Sequence, residues 1–345
     1  MRIGMIAPPW LTVPPSGYGG IEAVVDVLSC ALLEAGHDVV LAAAGDSACP
    51  VPRVQGMPLS DPSQVGASAS ELRHAVRAYA AFEDVDVIHD HTLVGPHLRR
   101  RPDRVPVVTT AHNRFTPDLL DVYRARPVDV SVVAISHHQA TTARGVQISR
   151  VIHHGLSTAT IPRGAGGDYA CFLGRMSPDK GVREAIMIAQ RAGIPLRIAA
   201  RMREPGEIEY FETVIAPLLN RDVVLVGELS AHEKYKLLGS ALALLNPIQW
   251  DEPFGMVMLE ALATGTPIIA TRRASVPEIV EDTVTGFIGD TIEELALGLR
   301  RAAELDRMRC RESVATRFGP SLMAARYLAL YQACLATRVS SPVRH

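Results

Sequence analysis

Two glutamates, Glu252 and Glu260, flank a proline and a glycine that favour the start of a helix. Pro253 is typical of a first helical turn, so the free backbone N–H groups there are expected to point toward an anion. These groups belong to Phe254, Gly255, Met256 and Val257. About two helical turns would offset the two carboxylates by up to ~12 Å, which is longer than the roughly 5–5.5 Å between the carboxyls of a retaining glycosidase. We interpret them as two anchors on an elongated ligand, one for sugar hydroxyls and one for a ribose diol, with phosphates between them. Alternatively, Glu260 faces solvent and Glu252 only caps the helix.

Arg175 and Lys180 lie in a loop between a predicted strand and a predicted helix. Ligands of open α/β sheets bind at this edge. A planar guanidinium and a compact ammonium on one such loop suit a diphosphate. Alternatively, both are ordinary surface side chains in a turn. Only three of the 35 basic residues are lysines, Lys180, Lys234 and Lys236, so each lysine is a candidate for a specific role.

A glycine-rich run, Gly17-Tyr18-Gly19-Gly20, stands directly before the first predicted helix. Glycines at a helix amino terminus allow backbone N–H groups to approach an anion. The run is not the GxGxxG pattern of dinucleotide-binding proteins, because Glu22 stands where the third glycine is required. A dinucleotide is therefore disfavoured. Alternatively, the glycines serve only a flexible connection that needs positive φ.

Eight of the twelve histidines fall between residues 89 and 154, mostly after predicted strands. The run His89-Asp90-His91 could indicate a metal site, because the alternate residues His89 and His91 would face one way in a strand. No third and fourth ligand follows at a suitable spacing, so we predict no metal site. His112, at the end of a predicted strand, is the better candidate for a substrate contact. Alternatively, its ring is satisfied by the backbone.

The composition indicates a globular protein of two domains. The chain has 345 residues, of which 48% are hydrophobic and 21% charged, which suits two α/β domains that each bury a core. The formal net charge of −2 provides no basic field for nucleic acid. The longest apolar runs are strand-sized, far short of the ~20 residues of a membrane span. The amino terminus resembles no export signal, so we expect a cytoplasmic protein. Five scattered cysteines predict buried free thiols.

Strands and helices alternate along both halves of the chain, as is typical of doubly wound parallel sheets. Strands are predicted at residues 3–7, 38–42, 85–89, 105–110, 131–135, 169–173, 195–200, 223–226, 242–246 and 267–270. Helices are predicted at residues 21–35, with Gly36 as the C-cap, and at residues 182–192. The predicted fold is therefore α/β, with two Rossmann-like domains.

A stretch rich in glycine and proline, with no periodic apolar face, separates the two halves. We place a first domain at residues 1–160, a linker at 161–168 and a second domain at 169–319. Residues 320–345 form a C-terminal helix and tail. Because the helix follows the second sheet, we expect it to pack across both domains and so back on the first.

Taken together, these motifs resemble those of the retaining family-4 glycosyltransferases of the GT-B fold. The specific elements are the E-x7-E spacing of Glu252 and Glu260, the following Ala-Leu-Ala-Thr-Gly-Thr-Pro, and Val276-Pro277-Glu278-Ile279-Val280. The likeness covers nearly the whole chain. It implies two Rossmann-like domains that face each other across a cleft. The first would bind most of the acceptor and the second a nucleoside diphosphate sugar.

The resemblance also implies roles for the matching residues. Arg175 and Lys180 would hold the donor diphosphate, Glu252 would lie near the donor sugar and Glu260 on the ribose. Gly19 and Gly20 match a glycine loop that closes over the phosphates, and His112 matches a histidine near the transferred sugar. Two places depart from the family pattern and receive no role, namely His153-His154-Gly155, where Asn-Gly is common, and Arg201, where glycine is common.

The resulting hypothesis is a retaining, hexosyltransferase-type enzyme that uses a nucleoside diphosphate sugar, with UDP as first choice, and a hydroxyl acceptor. Enzymes of this fold generally need no metal, and no other cofactor is implied. The alternatives are a GT-B phosphorylase or epimerase, or a non-catalytic nucleotide-sugar-binding protein. A nicotinamide dehydrogenase is disfavoured by the missing GxGxxG. Nucleic acid is excluded as a partner, whereas peripheral membrane contact stays open.

Overall fold

A six-stranded parallel sheet forms the centre of each half of the chain in the computed structural model, which describes residues 1–17, 19–98 and 105–339. The chain divides into two compact units. The first comprises Met1–Gly155 together with the segment from Pro320 onward, and the second comprises Leu156–Gly319. Tyr18 of the glycine-rich run and the predicted tail after residue 339 lie outside the described residues.

The predicted linker at residues 161–168 is part of the second unit, so its predicted position is wrong. The N–H of Gly164 donates to the carbonyl of Thr264, and the N–H of Gly166 donates to that of Gly239. A Cβ on Gly164 would lie 1.9 Å from the Gly239 carbonyl oxygen. The glycines of this segment therefore allow close backbone packing within the second unit, and the division of the chain falls after Gly155.

The first unit has the strand order β2-β1-β3-β4-β5-β6, with every neighbouring pair parallel. Its strands are β1 (Arg2–Ile6), β2 (Asp38–Ala42), β3 (Val87–Asp90), β4 (Val107–Ala111), β5 (Val130–Ala134) and β6 (Ile148–Val151). Its helices are α1 (Gly20–Glu34), α2 (Ser68–Ala81), α3 (Pro117–Arg124), α4 (His137–Thr142) and the last helix of the chain, α12 (Pro320–Val339).

The second unit has the strand order β12-β11-β10-β7-β8-β9, again with parallel neighbours. Its strands are β7 (Ala170–Arg175), β8 (Leu196–Arg201), β9 (Val223–Gly227), β10 (Ala243–Asn246), β11 (Ile268–Thr271) and β12 (Gly286–Gly289). Its helices are α5 (Val182–Ala192), α6 (Pro205–Tyr210), α7 (Ala231–Gly239), α8 (Met256–Ala263), α9 (Val276–Ile279), α10 (Ile292–Arg301) and α11 (Arg307–Arg317).

Helix α12 joins the chain terminus to the first sheet. It packs against α1, and its side chains Tyr327 and Tyr331 are fully buried. The Tyr331 hydroxyl lies 2.7 Å from Nδ1 of His89 on β3, and the Tyr327 hydroxyl lies 2.9 Å from Oγ1 of Thr110 on β4. The helix therefore packs against the sheet at β3 and β4, and β3 carries His89.

The five cysteines form no disulfide. Cys49, Cys171 and Cys310 are buried as predicted, but Cys30 and Cys334 are only half-buried, because α1 and α12 each expose part of their surface at these positions. Within the described ranges, no helix has the length and apolar character needed to cross a membrane.

Candidate functional site

The loops that follow β7 and β10 meet where the strand order of the second sheet reverses. These two strands are neighbours, and the chain proceeds outward from them in opposite directions. Ligands of open α/β sheets bind at such a switch point, outside the carboxyl ends of the strands. The predicted cationic loop follows β7, and the predicted Glu252 segment follows β10. The sheet topology therefore brings these two motifs together.

Gly181 allows the two loops to touch. Its φ is +75°, and a Cβ at this position would lie 2.0 Å from the carbonyl oxygen of Pro247 in the loop after β10. The N–H of Gln249 also donates to the carbonyl of Asp179 at 2.8 Å. Because a side chain at residue 181 would collide with backbone, only glycine permits this approach.

Lys180 and Glu252 form an ion pair across the two loops. The ammonium donates to Oε2 of Glu252, and Nε1 of Trp250 donates to the same oxygen at 3.1 Å. The side chains of Lys180 and Glu252 are only 20% and 13% exposed. An ammonium has three donors and a carboxylate has two oxygens. Among the described residues nothing bonds to Oε1 of Glu252, so the pair fixes both groups and leaves each able to bind a ligand.

Glu260 forms a second, similar pair with Lys234. Its Oε1 accepts from the Lys234 ammonium at 2.6 Å, and the two side chains are 17% and 20% exposed. Lys234 is positioned by α7, which begins with a capping box formed by Ser230 and Glu233. Two of the three lysines therefore hold the two glutamates that the sequence analysis identified.

Arg175 ends β7 and is held by carboxylates. Its Nη2 lies 2.8 Å from Oδ2 of Asp179, and its Nη1 lies 3.8 Å from Oε1 of Glu207. Nη2 of Arg201, at the end of β8, lies 3.7 Å from the same Glu207 oxygen. Although burial opposes it, backbone N–H donors and the two arginines lower the pKa of Glu207. A buried carboxylate thus orients both guanidinium groups.

Two further polar atoms at this switch point are buried without a hydrogen-bond partner in the described part of the chain. They are Oγ of Ser177, in the loop after β7, and Nδ2 of Asn246, the last residue of β10. Buried polar groups normally have partners, because an unmade hydrogen bond costs about 1–3 kcal/mol. Both atoms therefore favour a polar ligand at this position.

Helix α8 begins at Met256, so its start after the proline was predicted too early. Gly255 precedes it with φ of +87°, a left-handed conformation that interrupts the helix. The N–H groups at the first helical positions are those of Met256 and Val257. Phe254 is instead a core residue, 2% exposed, with its ring 6.1 Å from that of Phe318. Glu260 consequently lies about one turn, or about 6 Å, from the start of the helix, whereas the sequence predicted about two turns.

The predicted glycine residues lie at the amino terminus of α1 in the first unit. Gly19 directly precedes the helix, and Gly20 is its first residue. The side chain of Glu22 is 4% exposed, and its Oε2 would lie 3.1 Å from a Cβ on Gly19. Burial raises the pKa of Glu22 to about 7. The helix start therefore places two glycines beside a buried carboxyl whose pKa is raised toward neutral pH.

His112 belongs to a buried group of histidines at the carboxyl edge of the first sheet. Its Nε2 lies 2.8 Å from Nδ1 of His91, which follows β3, and its ring stacks on that of His154, which follows β6, at 5.2 Å between centroids. Burial lowers the pKa of His112 to about 3. The imidazole is therefore neutral near pH 7 and acts as a hydrogen-bonding group rather than a cation.

His89 and Asp90, from the run weighed as a metal site, form hydrogen bonds with neighbouring side chains and backbone. Both ring nitrogens of His89 are occupied, Nε2 by the Thr110 hydroxyl at 2.8 Å and Nδ1 by that of Tyr331 at 2.7 Å. The carboxylate of Asp90 accepts from the Thr92 N–H at 2.8 Å and from the Tyr79 hydroxyl at 3.0 Å. These side chains form a structural network beneath the histidine group.

Sequence reasoning missed the partners of the predicted residues. Lys234 and Glu207 come from other elements and reach Glu260 and Arg175 only through the fold, whereas Trp250 lies two residues before Glu252 in the same loop. For Lys234 the scarcity of lysine was a usable signal. For Glu207 and for His91 as the partner of His112, no local signal was available.

Two family models match consecutive parts of the chain. The one described as Glycosyltransferase Family 4 matches residues 18–160, and the one described as Glycosyl transferases group 1 matches residues 161–316. An N-acetyl-alpha-D-glucosaminyl L-malate synthase of Bacillus anthracis is 38% identical over 294 residues, which covers 73% of this chain and 76% of the relative.

Solved structures resemble the whole chain. AviGT4, a glycosyltransferase involved in avilamycin A biosynthesis, is 28% identical with a TM-score of 0.77, covering 97% of this chain and 98% of the other. HepE of Anabaena, in complex with UDP and glucose, is 18% identical with a TM-score of 0.71, covering 96% of this chain and all of the other. The second likeness concerns the fold, which is the GT-B arrangement of two Rossmann-like domains.

Proposed function

We propose that this chain, which belongs to the family-4 glycosyltransferases, transfers a sugar from a nucleoside diphosphate sugar to a hydroxyl acceptor with retention of the anomeric configuration. The observation that carries the proposal is the ion pair of Lys180 and Glu252 at the switch point of the second sheet. UDP is the first choice of nucleotide, supported by the UDP complex of the similarly folded HepE.

The second unit supplies groups for each part of such a donor. The ammonium of Lys180, the guanidinium of Arg175 and the N–H groups at the start of α8 suit the diphosphate. The free oxygen of Glu252 suits hydroxyls of the sugar, and the carboxylate of Glu260 suits the ribose diol. The unpartnered atoms of Ser177 and Asn246 are additional polar contacts at the same edge.

The reaction breaks the bond between the anomeric carbon and the β-phosphate oxygen, and its electron pair leaves with the phosphate. Positive groups and helix N–H donors that surround this oxygen stabilise the developing charge, an effect worth about 10²–10³ in rate for one donor group. The acceptor oxygen bonds to the anomeric carbon on the same face, and its proton passes to the departing phosphate. The cations Lys180 and Arg175 supply the stabilisation that a metal ion gives in other transferases.

The first unit is proposed to bind the acceptor. His112 is proposed to form a hydrogen bond with the transferred sugar. Because its imidazole is neutral, it donates or accepts one hydrogen bond without adding charge beside an oxocarbenium-like centre. Gly19 and Gly20 offer backbone donors at the start of α1 for the donor phosphates.

A thermal-shift panel with UDP, GDP, ADP, dTDP and NAD tests the donor site. A ligand at about 100 times its dissociation constant adds ~2.7 kcal/mol to the free energy of unfolding. We expect one nucleoside diphosphate to raise the melting temperature by several degrees. Stabilisation by NAD alone contradicts the proposal.

Turnover of the matching nucleotide sugars then tests the activity. We expect release of the nucleotide to require a hydroxyl acceptor and the product to keep the anomeric configuration of the donor, as read by NMR. Consumption of inorganic phosphate would indicate a phosphorylase, and conversion of the nucleotide sugar alone an epimerase. Donor binding without release for any acceptor would indicate a binding protein.

A further inference from the structure

A cleft of about 460 Å³ opens in the first unit, apart from the histidine group and the glycine run. It lies between the loop after β1, the segment after β2 and the first turns of α2. The polar groups that line it are those of Trp10, Asp61, Gln64, Ser70, Arg73 and His74. Its volume falls within the ~300–1,000 Å³ of small-molecule sites.

Trp10 forms an aromatic wall on a loop that is held in place. Its indole is half-buried, and Nε1 is buried with no acceptor in the ranges that the structure describes. The loop is tied to the segment after β2, because the N–H of Val13 donates to Oγ of Ser47 at 3.0 Å and the N–H groups of Ala48 and Cys49 donate to the carbonyl of Val13. The indole plane is therefore a fixed surface of the cleft.

His74 is the buried polar side chain among the residues that line the cleft, and it is 2% exposed. Burial lowers its pKa to about 4, although backbone hydrogen bonds with Ala42 and Ala7 act in the opposite direction. The ring is therefore neutral and is part of the framework of the cleft. The buried polar atom that lacks an acceptor among the described residues is Nε1 of Trp10.

Of the two charged side chains that line the cleft, Asp61 is engaged in local hydrogen bonds and Arg73 is not in an ion pair with any described residue. The carboxylate of Asp61 accepts from the N–H of Ser63 at 3.0 Å and from its hydroxyl at 2.6 Å, and so caps a short turn. Arg73 is exposed on α2 and makes no ion pair with any described residue. A single guanidinium is therefore free to meet a ligand, which is too little positive charge for a diphosphate.

We infer that this cleft binds a saccharide unit of the acceptor, an assignment that rests on the proposed function. An aromatic plane packs against the apolar C–H face of a sugar ring, while planar amide and guanidinium groups reach the hydroxyls at its edge. The cleft combines the indole of Trp10, whose buried Nε1 is an available donor, with the side chains of Gln64 and Arg73 in this way.

The two tryptophans of the chain make the test direct, because Trp10 lines the cleft and Trp250 lies in the donor site. The full chain labelled with 5-fluorotryptophan gives two ¹⁹F resonances, which Trp250→Phe assigns. The probes are neutral saccharides (glucose, mannose, galactose and maltose) and anionic ones (glucose 6-phosphate and glucuronate) at millimolar concentration, with UDP for comparison. We expect at least one saccharide to shift the Trp10 resonance saturably, and an anionic preference to identify Arg73 as the charge partner.

Matched arginine variants complete the experiment. Arg73 and Arg77 are both exposed on α2, one turn apart, and only Arg73 lines the cleft. Arg73→Ala should weaken saccharide binding about tenfold, as for loss of a charged hydrogen bond. Arg77→Ala should change it less than about twofold. Equal weakening by both variants, or a Trp10 resonance that no saccharide moves, overturns the inference.

The same spectra separate this inference from the proposed function. A Trp10 shift with saccharides together with a Trp250 shift with a nucleoside diphosphate supports both. Saccharide binding at Trp10 while no nucleoside diphosphate in the panel moves Trp250 leaves the cleft as a saccharide site and contradicts the donor assignment. A Trp10 resonance that responds to the nucleotide rather than to saccharides overturns the inference.

Discussion

Replacing Lys180 by alanine removes the cation that holds Glu252 and faces the proposed diphosphate. Glu252 is then left 13% exposed, with Trp250 Nε1 as its donor. An exposed pair contributes about 0–1 kcal/mol, whereas breaking a buried pair costs about 3–5 kcal/mol. At this intermediate burial we expect the free energy of unfolding to fall by about 2 kcal/mol, which lowers the melting temperature by roughly 4–8 °C. The protein should remain folded at room temperature.

The catalytic effect of Lys180→Ala should be larger than its effect on stability. Removal of one preorganised donor to a developing negative charge lowers kcat about 10²–10³-fold. Lys236→Ala is the matched control, because Lys236 is exposed on α7, outside the two ion pairs. Initial rates of nucleotide release, measured with circular dichroism of the same samples, give both quantities.

A second substitution separates charge burial from catalysis. In the double variant Lys180→Ala/Glu252→Gln, the unpaired carboxylate is neutralised, so the melting temperature should recover while turnover stays low. Near-normal turnover in folded Lys180→Ala would refute the role assigned to the ammonium. A double variant no more stable than Lys180→Ala would refute the argument from an uncompensated charge.

Three further predictions concern other parts of the molecule. Glu22 has its pKa raised from 4.5 to about 7, so the folded state keeps a proton that the unfolded state releases, and stability falls as pH rises between these values. At pH 8 the free energy of unfolding of Glu22→Gln, measured with urea, should therefore exceed that of the wild-type protein by up to about 3 kcal/mol, and near pH 4 the two should be equal. A difference that does not depend on pH would contradict the assignment. Lys234→Met leaves Glu260 unpaired and should weaken nucleoside diphosphate binding about tenfold by calorimetry, and unchanged affinity would exclude Glu260 from the site. Tyr331→Phe removes the hydroxyl that meets His89 and should lower the free energy of unfolding by about 1–2 kcal/mol with unaltered nucleotide binding, and an altered affinity would link the network to the donor site.

Apolar periodicity predicted the elements that pack on the sheets. The strand at residues 38–42 and the helix at residues 182–192 agree with β2 and α5 to the residue. In both, buried positions recur at the spacing that the element requires. The missed strands β6 and β12 are short, and Gly286–Gly289 contains two glycines in four residues, which removes the apolar signal.

Boundaries that depend on backbone conformation were less predictable. Proline favours a first helical turn, but the left-handed conformation of Gly255 delays the start of α8 to Met256. The glycines at 164 and 166 look like a linker in sequence, yet they bond to backbone of the second unit. Composition alone does not distinguish a glycine that is free from one that allows close packing.

The identities of the donor-site residues were readable from the sequence, but their partners were not. Lys180 and Glu252 are separated by 72 positions and meet because β7 and β10 are neighbours. Glu260 and Lys234 are 26 positions apart and meet through two helices. Such pairs follow from the strand order, which periodicity does not determine.

The most direct test is a calorimetric comparison of a nucleoside diphosphate with its monophosphate, beginning with UDP and UMP. If Lys180, Arg175 and the start of α8 hold the terminal phosphate, two charge-assisted contacts should favour UDP by about 100-fold. This preference should fall to about tenfold in Lys180→Ala, because Arg175 and the start of α8 remain, and should be unchanged in Lys236→Ala. Equal affinity of the wild-type protein for UDP and UMP, or a roughly 100-fold preference that Lys180→Ala leaves undiminished, would contradict a diphosphate site at this position.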